Sequence, residues 1–470
     1  MRAGDLIANR FEIAAQAGSG GMGVVYRGVD RQTGSHVAIK CLNEDVARDS
    51  PRFDQEAALL AGFNHPAIVR YVAHGRSMAG SHYLVMEWLD GQSLGGRLDV
   101  EGLTLRESVE SIRRVAEGIA FAHRMGVVHR DIKPNNIIFP DGEVSQVKII
   151  DFGIALRTQV AVRFTESGTV LGTPSYMAPE QARASKLVDA RTDVFALGCV
   201  LFECLTGQIA FAGSNPLAVR AKALIMRPPA CSEIMPHVPV ALDTLVARMM
   251  SKEPDARPAH AGIVADELAA MTDLPETAPV RRITESSQTE RIAAPPTLAT
   301  GTTENTRPLS AIIMAAIPED YAHLSRPATI SVDIVRRKIE DAVVGFGAHV
   351  EMLDGRSSMV MLEVGGSPTQ QAAHAAKCAL AIRDHFPELA LVVTIGDDAS
   401  IYDAIDRGAR TMEVAVRRAI LERGLGPGPA EAGSIRLDPF AAGMLGSEFH
   451  VTRAGSKTYY LHGYKDGSQS

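Results

Sequence analysis

The segment His129-Arg130-Asp131-Ile132-Lys133-Pro134-Asn135-Asn136, followed after one short hairpin by Asp151-Phe152-Gly153, constrains this chain more than any other feature. It gathers two carboxylates, an amide and a lysine in a few residues, which is the equipment for moving a phosphoryl group. Such a transfer passes through a loose, highly charged transition state, so a catalyst supplies positioning and electrostatics rather than covalent chemistry. Asp131 is placed to accept the proton of an attacking hydroxyl. Asn136 and Asp151 offer hard oxygen ligands for Mg2+, and Lys133 offers a cation for the transferring phosphate.

The string H-R-D-x-K-x-x-N with a later D-F-G resembles the catalytic core of protein kinases, and Lys133, two residues after Asp131, is similar to the serine/threonine branch. The amino-terminal residues fit the same resemblance. Phe11 to Ala17 and Val24 to Val29 read as strands around Gly18-Ser19-Gly20-Gly21-Met22-Gly23, a G-x-G-x-x-G loop whose glycines let backbone N–H groups approach phosphates. Dinucleotide-binding folds use similar glycines, but there the loop enters a helix. Here it enters a second β-rich segment and then Val37-Ala38-Ile39-Lys40, the order of a kinase strand pair and its phosphate-anchoring lysine.

The resemblance carries further roles. Glu56, in the helical stretch Pro51 to Gly62, would orient Lys40, with Asp54 as the competing carboxylate. Met86 would be the gatekeeper, the backbones of Glu87 and Leu89 would meet adenine, and Val25 and Ala38 would sandwich the base. ATP-binding residues are therefore expected at Gly18, Gly20, Gly23, Val25, Ala38, Lys40, Glu87 and Leu89. Catalytic ones are expected at Asp131, Lys133, Lys40 and Glu56, and metal ligands at Asn136 and Asp151. The metal is expected to be Mg2+, with Mn2+ as the alternative.

From Ile154 to Ala178 hydrophobic periodicity is lost and hydroxyls accumulate, as in an exposed activation loop. By position relative to Gly172-Thr173-Pro174-Ser175-Tyr176-Met177-Ala178-Pro179-Glu180, the resemblance implies phosphorylation at Thr165 or Ser167, with Thr169 a near alternative. Arg130 is the expected partner for the added phosphate. Thr173 would favour serine or threonine acceptors over tyrosine. Glu180 and Arg257 are expected as a buried ion pair, and Asp193 as the residue that holds the catalytic-loop backbone from a buried helix.

The chain has 470 residues, enough for about three domain-sized units by the length rule. A formal net charge of −7 without a long basic block gives no argument for nucleic acid. Five cysteines without C-x-x-C spacing point to a reducing cytosol and no zinc site. Met1 to Phe11 carries Asp5 and lacks an apolar core, so no secretion signal is expected. The run Ala311 to Ile317 is far shorter than the ~20 residues that cross a bilayer. A cytoplasmic protein follows from these readings.

Residues 275–308 are rich in Pro, Thr, Ser and Ala without hydrophobic period and read as a flexible tether between a kinase domain at 1–274 and a second domain at 309–464. In the second domain the sequence predicts a strand (309–317), a helix (332–343), a hairpin through Asp354-Gly355, a helix (369–385), a strand (389–395) and a helix (407–423), hence a sheet with helices on one face. That order is similar to class III nucleotide cyclase domains. It departs from them where metal would sit, because the first strand reads Ile312-Ile313-Met314-Ala315-Ala316-Ile317 and Asp354 stands in a hairpin-turn pair.

The expected fold class is thus α+β: a bilobal protein kinase fold followed by a smaller ferredoxin-like/cyclase-like α+β domain. The expected function is a bacterial-type serine/threonine protein kinase that phosphorylates its own activation loop. Protein substrates are the expected partners, and the second domain, read as a non-catalytic sensor or dimerisation module, makes a homodimer a candidate assembly. Two other functions compete: a nucleotide-binding scaffold, which need not keep Lys40, Glu56, Asp131, Asn136 and Asp151, and a kinase-regulated nucleotide cyclase.

Overall fold

The computed structural model describes residues 1–20, 23–42, 57–77, 80–152, 174–182, 188–213, 215–283, 310–316, 332–353, 357–362, 367–387, 389–396, 435–453 and 459–465. These form two compact units, Met1–Ala212 with Pro228–Glu290, and Gly213–Arg227 with Arg291–Ser470.

The first unit opens with β1 (Leu6–Ile7), β2 (Phe11–Gly20), β3 (Gly23–Asp30), β4 (His36–Leu42), β5 (Tyr71–Arg76) and β6 (His82–Glu87), paired antiparallel in the order β1-β2-β3-β4-β6-β5. Period-2 alternation buries Phe11, Ile13, Val37, Ile39 and Val85 on one face. The other face packs Leu42, Leu84 and Met86 against Ala57 and Val69, with residues 57–61 helical. A three-stranded sheet of β7 (Gly91–Ser93), β8 (Ile137–Pro140) and β9 (Lys148–Ile149) then brackets the segment His129 to Asn136. β8 begins immediately after Asn136, and β9 ends two residues before Asp151.

Helices make up the rest of this unit. α1 (Leu94–Val100) is followed by α2 (Leu105–Arg124), which starts in a capping box where Thr104 and Glu107 satisfy each other's backbone N–H. After α3 (Pro179–Ala182) comes α4 (Ala190–Thr206), whose residues from Thr192 onward are all buried. A helix hydrophobic all round belongs in a core, and α4 is packed by α2, α7 (Val240–Met249) and α8 (Ala261–Ala269). Cys199 and Cys204 lie on it, their thiols free and pushed up by burial, Cys199 to about 12, so they pack rather than react.

The expected ion pair is present. Arg257, with its side chain fully buried, donates to Glu180 Oε1 at 2.8 Å and Oε2 at 3.0 Å, while Thr192 Oγ1 donates to the same carboxylate at 2.7 Å. Burial opposes the charge, yet the guanidinium bonds win and hold Glu180 below its ordinary pKa.

Leu274 to Ile283 corrects the sequence reading of residues 275–308 as a flexible tether. Val280 exchanges both backbone bonds with Leu103, at 2.7 and 3.2 Å, and Leu105 N–H donates to Thr277 Oγ1 at 2.9 Å. Arg282 N–H donates to the Leu98 carbonyl at 2.8 Å, and Ile283 N–H to the Gly207 carbonyl at 2.7 Å. These residues are a strap that belongs to the first unit. Residues 284–308 lie outside the described set.

The second unit is a seven-stranded sheet with order β11-β12-β10-β13-β14-β16-β15, from β10 (Ser310–Ala316), β11 (Ala348–Met352), β12 (Ser357–Leu362), β13 (Ala390–Gly396), β14 (Ile435–Leu437), β15 (Phe449–Arg453) and β16 (Tyr459–Tyr464). Among the described residues of this sheet, only β13 and β14 pair in parallel. One face packs its Ala311, Ile313, Val360 and Val393 with α9 (Val332–Val343), α10 (Pro368–His385) and α11 (Pro439–Met444). The predicted helix at 407–423 and the Asp354-Gly355 turn lie outside the described residues. The expectation of helices on one face only needs correction. α5 (Pro216–Ile225), drawn from the middle of the chain, meets the opposite face, where Lys222 Nζ pairs with Glu351 and Asn215 Nδ2 lies 3.3 Å from Met361 Sδ. Among the described residues no helix is long and apolar enough to cross a membrane.

Breaking one side of a buried pair strands a charge, so Arg257→Ala should lower the free energy of unfolding by about 3–5 kcal/mol. Urea titration followed by tryptophan fluorescence and circular dichroism checks this. Arg248→Ala, which breaks the exposed pair with Glu267, should leave the midpoint nearly unchanged.

Candidate active site

The site is built outward from Asp193 on α4, whose side chain is fully buried. Its Oδ2 accepts the N–H of His129 at 2.7 Å and its Oδ1 that of Arg130 at 2.8 Å. The His123 ring Nε2 lies 2.9 Å from the same Oδ2. Arg130 is held at φ 66°, a left-handed conformation that a side chain with a Cβ adopts only against a steric cost. Two charge-assisted bonds from a buried carboxylate offset that cost.

His129 is entirely buried, and burial lowers its pKa, so the ring is neutral. Its partners fix the tautomer. Nδ1 accepts the N–H of Asp131 at 3.2 Å, so Nε2 carries the proton toward the Ile150 carbonyl at 3.1 Å. One ring therefore ties the start of the catalytic segment to the residue before Asp151. The same ring lies 4.5 Å from Phe152 at a tilt of 44°; Phe152 meets Phe63 edge-on at 5.4 Å, and Phe63 meets Phe121 at 5.6 Å. Asp151 itself sits at φ 57°.

On this frame the predicted catalytic residues converge. Lys133 Nζ donates to Asp131 Oδ2 at 2.8 Å, and Asn136 Nδ2 donates to that same oxygen at 3.0 Å and to the Asp131 carbonyl at 2.7 Å. Pinning Nδ2 in this way leaves the Asn136 amide oxygen directed elsewhere, as a cation ligand requires. Lys40 Nζ lies 2.9 Å from Asp151 Oδ1, with the Asp151 side chain about a quarter exposed. An amide oxygen and an accessible carboxylate are a donor set that fits a hard divalent cation such as Mg2+.

The strand residues predicted for nucleotide binding fall on one sheet. Gly18 and Gly20 are exposed on β2, and Gly23 begins β3. Val25 pairs with Lys40 across β3 and β4, and Ala38 pairs with Met86 across β4 and β6. A Cβ on Gly18 or Gly20 would meet nothing within 4 Å, so the backbone there is open to a ligand. Glu87 spends its N–H on the Arg70 carbonyl at 2.9 Å, and its carboxylate takes Lys148 Nζ at 2.7 Å. Its carbonyl is what it has for an adenine. A cavity of about 20 Å³ lined by Met86, Leu60, Phe63 and Phe152 among others is too small for a base. Leu89 follows β6 and is half-buried.

Glu56, Thr165, Ser167, Thr169 and Thr173 lie outside the described residues. Two connections escaped sequence reasoning: Gln181 Nε2 donates to the Arg130 carbonyl at 2.9 Å, and Tyr176 OH donates to the buried Glu203 at 2.6 Å. The only sequence signal for the second was a glutamate inside an apolar helix.

A family model described as the protein kinase domain matches residues 11–269. The chain is 35% identical over 298 residues to the serine/threonine-protein kinase PknB of Mycolicibacterium smegmatis, covering 62% of this chain and 47% of that protein. It is 37% identical over 259 residues to a probable serine/threonine-protein kinase of Streptomyces coelicolor, covering 53% of this chain and 38% of the relative. The chain thus spans less than half the length of these curated relatives. Among solved structures, the kinase domain of Mycobacterium tuberculosis PknI aligns with a TM-score of 0.46 at 23% identity, over 57% of this chain and 98% of that one.

Removing the Asp193 carboxylate leaves two backbone N–H groups without their acceptor at a buried position, each worth about 1–3 kcal/mol. Asp193→Ala should therefore lower unfolding stability by at least about 2 kcal/mol. Denaturant melts of the full chain measure it, with Asp255→Ala, at an almost fully exposed side chain, expected to be indistinguishable from wild type.

Proposed function

The chain belongs to the protein kinase domain family, and from that premise we propose that it is a serine/threonine kinase of bacterial signalling that transfers the γ-phosphoryl of ATP to protein hydroxyls. The observation that carries the reading is the Asp131 carboxylate, gripped by Lys133 and Asn136 beside the Lys40–Asp151 pair. When bound, the nucleotide brings the transferable phosphoryl group and Mg2+ neutralises its charge. Asp131 accepts the proton of the serine or threonine hydroxyl, and the two donors on Oδ2 aim its other oxygen at that hydroxyl. Lys133 stands where negative charge builds between acceptor and phosphate. Asn136 and Asp151 would hold the cation, Lys40 would grip phosphate oxygens, and Glu56 would orient Lys40. The sheet residues Gly18, Gly20, Gly23, Val25, Ala38, Glu87 and Leu89 enclose the nucleotide.

The scaffold reading has less in its favour, since a protein that only binds partners has no use for Asp131 and Lys133 in hydrogen-bond contact. Thr165, Ser167 and Thr169 are the proposed autophosphorylation sites, with Arg130 receiving the phosphate. A cytoplasmic location accords with the reducing environment that free cysteines need.

For the second unit we propose a cyclase-like fold without cyclase chemistry. Two-metal catalysis on a nucleoside triphosphate needs paired carboxylates, and β10 ends in Ala315-Ala316 where the first would stand. A sensor or dimerisation role remains for it.

Asp131→Asn should reduce phosphorylation of myelin basic protein by the full chain at least a thousandfold while ATP affinity stays within about twofold, because Asp131 acts on the hydroxyl and not on the nucleotide. Radiolabel incorporation and calorimetric ATP titration measure the two. A variant that transfers phosphate at the wild-type rate would sink the assignment. The full chain incubated with ATP or GTP and Mg2+ or Mn2+ should yield no cyclic AMP or cyclic GMP by chromatography. Cyclic product that disappears in Asp354→Ala would falsify the non-catalytic reading.

A further inference from the structure

The strap at 274–283 does more than close the end of the first unit. It crosses two glycines that are built to receive it. Gly102 and Gly207 both have left-handed backbones, at φ 76° and 70°; a Cβ on Gly102 would come within 2.4 Å of the Val280 carbonyl oxygen, and one on Gly207 within 2.2 Å of the Arg281 carbonyl oxygen. From that seat Arg282 reaches inward. Its Nε donates to Glu203 Oε1 at 2.6 Å, and its other arm meets Asp99 at the surface at 2.6 Å. Glu203 is fully buried on α4, and its second oxygen accepts Tyr176 OH at 2.6 Å.

Tyr176 stands in the segment 174–182, whose Gln181 donates to the Arg130 carbonyl one residue before Asp131. Gln181 thereby attaches this segment beside Asp131, the proposed acceptor of the hydroxyl proton, whereas the predicted nucleotide contacts are on β2 to β4 and β6. We propose that Arg282 is a positioning residue for phosphoryl transfer: carried by the strap, it holds the segment 174–182, and with it the Asp131 end of the site where the acceptor hydroxyl would bind, through Glu203 and Tyr176. A buried carboxylate with only a phenol donor is driven to take a proton or to turn toward another donor, and either change releases Tyr176. Burial already pushes the Glu203 pKa up, with Tyr176 and Arg282 pulling against it.

The proposal rests on the kinase reading, and the experiment separates the two. Full-length wild type, Arg282→Ala, Arg282→Lys, Glu203→Gln and the Arg282→Ala/Glu203→Gln double variant are assayed with myelin basic protein, varying acceptor and ATP in turn. Arg282→Ala should lower kcat/KM for the acceptor about tenfold while KM for ATP stays within about twofold, and Arg282→Lys should recover part of the loss. In the Glu203→Gln background, removing Arg282 should have no further effect, because the two act as one unit. An acceptor kcat/KM unchanged in Arg282→Ala overturns the proposal, as does an equal loss toward ATP or an effect that persists undiminished without Glu203. If Arg282→Ala does not melt cooperatively, Arg282→Lys, which keeps the charge but not the guanidinium, is judged by the same acceptor-against-ATP criterion. An inactive wild type overturns both readings; an active wild type with an indifferent Arg282→Ala overturns this one alone.

Discussion

The carboxylate of Asp193 is the interaction on which the first unit's chemistry depends. A buried carboxylate is tolerable only when donors surround it, and here the donors are the backbone of the catalytic segment itself, His129 and Arg130. The strain of the left-handed Arg130 is thereby stored at the place where direction matters, since the next residue is Asp131. α4 can offer so rigid a platform because it is buried on every side, and the Glu180–Arg257 pair near its start closes the packing around it.

The neutral ring of His129 extends this frame to Asp151, the second carboxylate of the proposed site. By accepting from Asp131 N–H and donating to the Ile150 carbonyl it links two backbones that meet only in space. A protonated ring could not accept, so the desolvation that lowers its pKa also preserves the link. Phe152 against that ring, and Phe63 against Phe152, carry the contact up to residues 57–63. Asp151 is positioned by three aromatic rings and one tautomer, and only then by its ion pair with Lys40.

What the sequence discloses follows from how local each determinant is. The spacing of Asp131, Lys133 and Asn136 is short, so their grouping in one site could be read from the string alone, though not the hydrogen bonds that join them. α9 spans the predicted 332–343, because an amphipathic period is a local signal. Ser367 and Gln370 form a capping box that starts α10 one residue before the predicted 369. The strap was illegible for the opposite reason. Residues 274–283 have tether composition, and what fixes them is backbone pairing with Leu98, Leu103 and Gly207, far away in sequence. Likewise Asp193 can be expected from a family resemblance, but the bond from Gln181 to the Arg130 carbonyl has no sequence period at all. Of the candidate site, Glu56 and the activation-loop hydroxyls stay where sequence reasoning left them.

The boundary between the units is governed by the same distinction. A composition shift at residue 275 suggests that one domain ends there, yet the first unit keeps its chain through the strap and gives up α5 from its middle. Lys222 and Glu351, each about seven-eighths buried, form an ion pair within the second unit. A chain cut after residue 290 would leave Lys222 without that carboxylate and Asn215 without Met361. Partly buried charges are costly when unpaired, so α5 in such a fragment is in a different environment from α5 in the whole chain. Activity measured on the amino-terminal piece alone therefore reports on a molecule whose α5 has lost its contacts with Glu351 and Met361, and the full chain is the proper object for every comparison between variants.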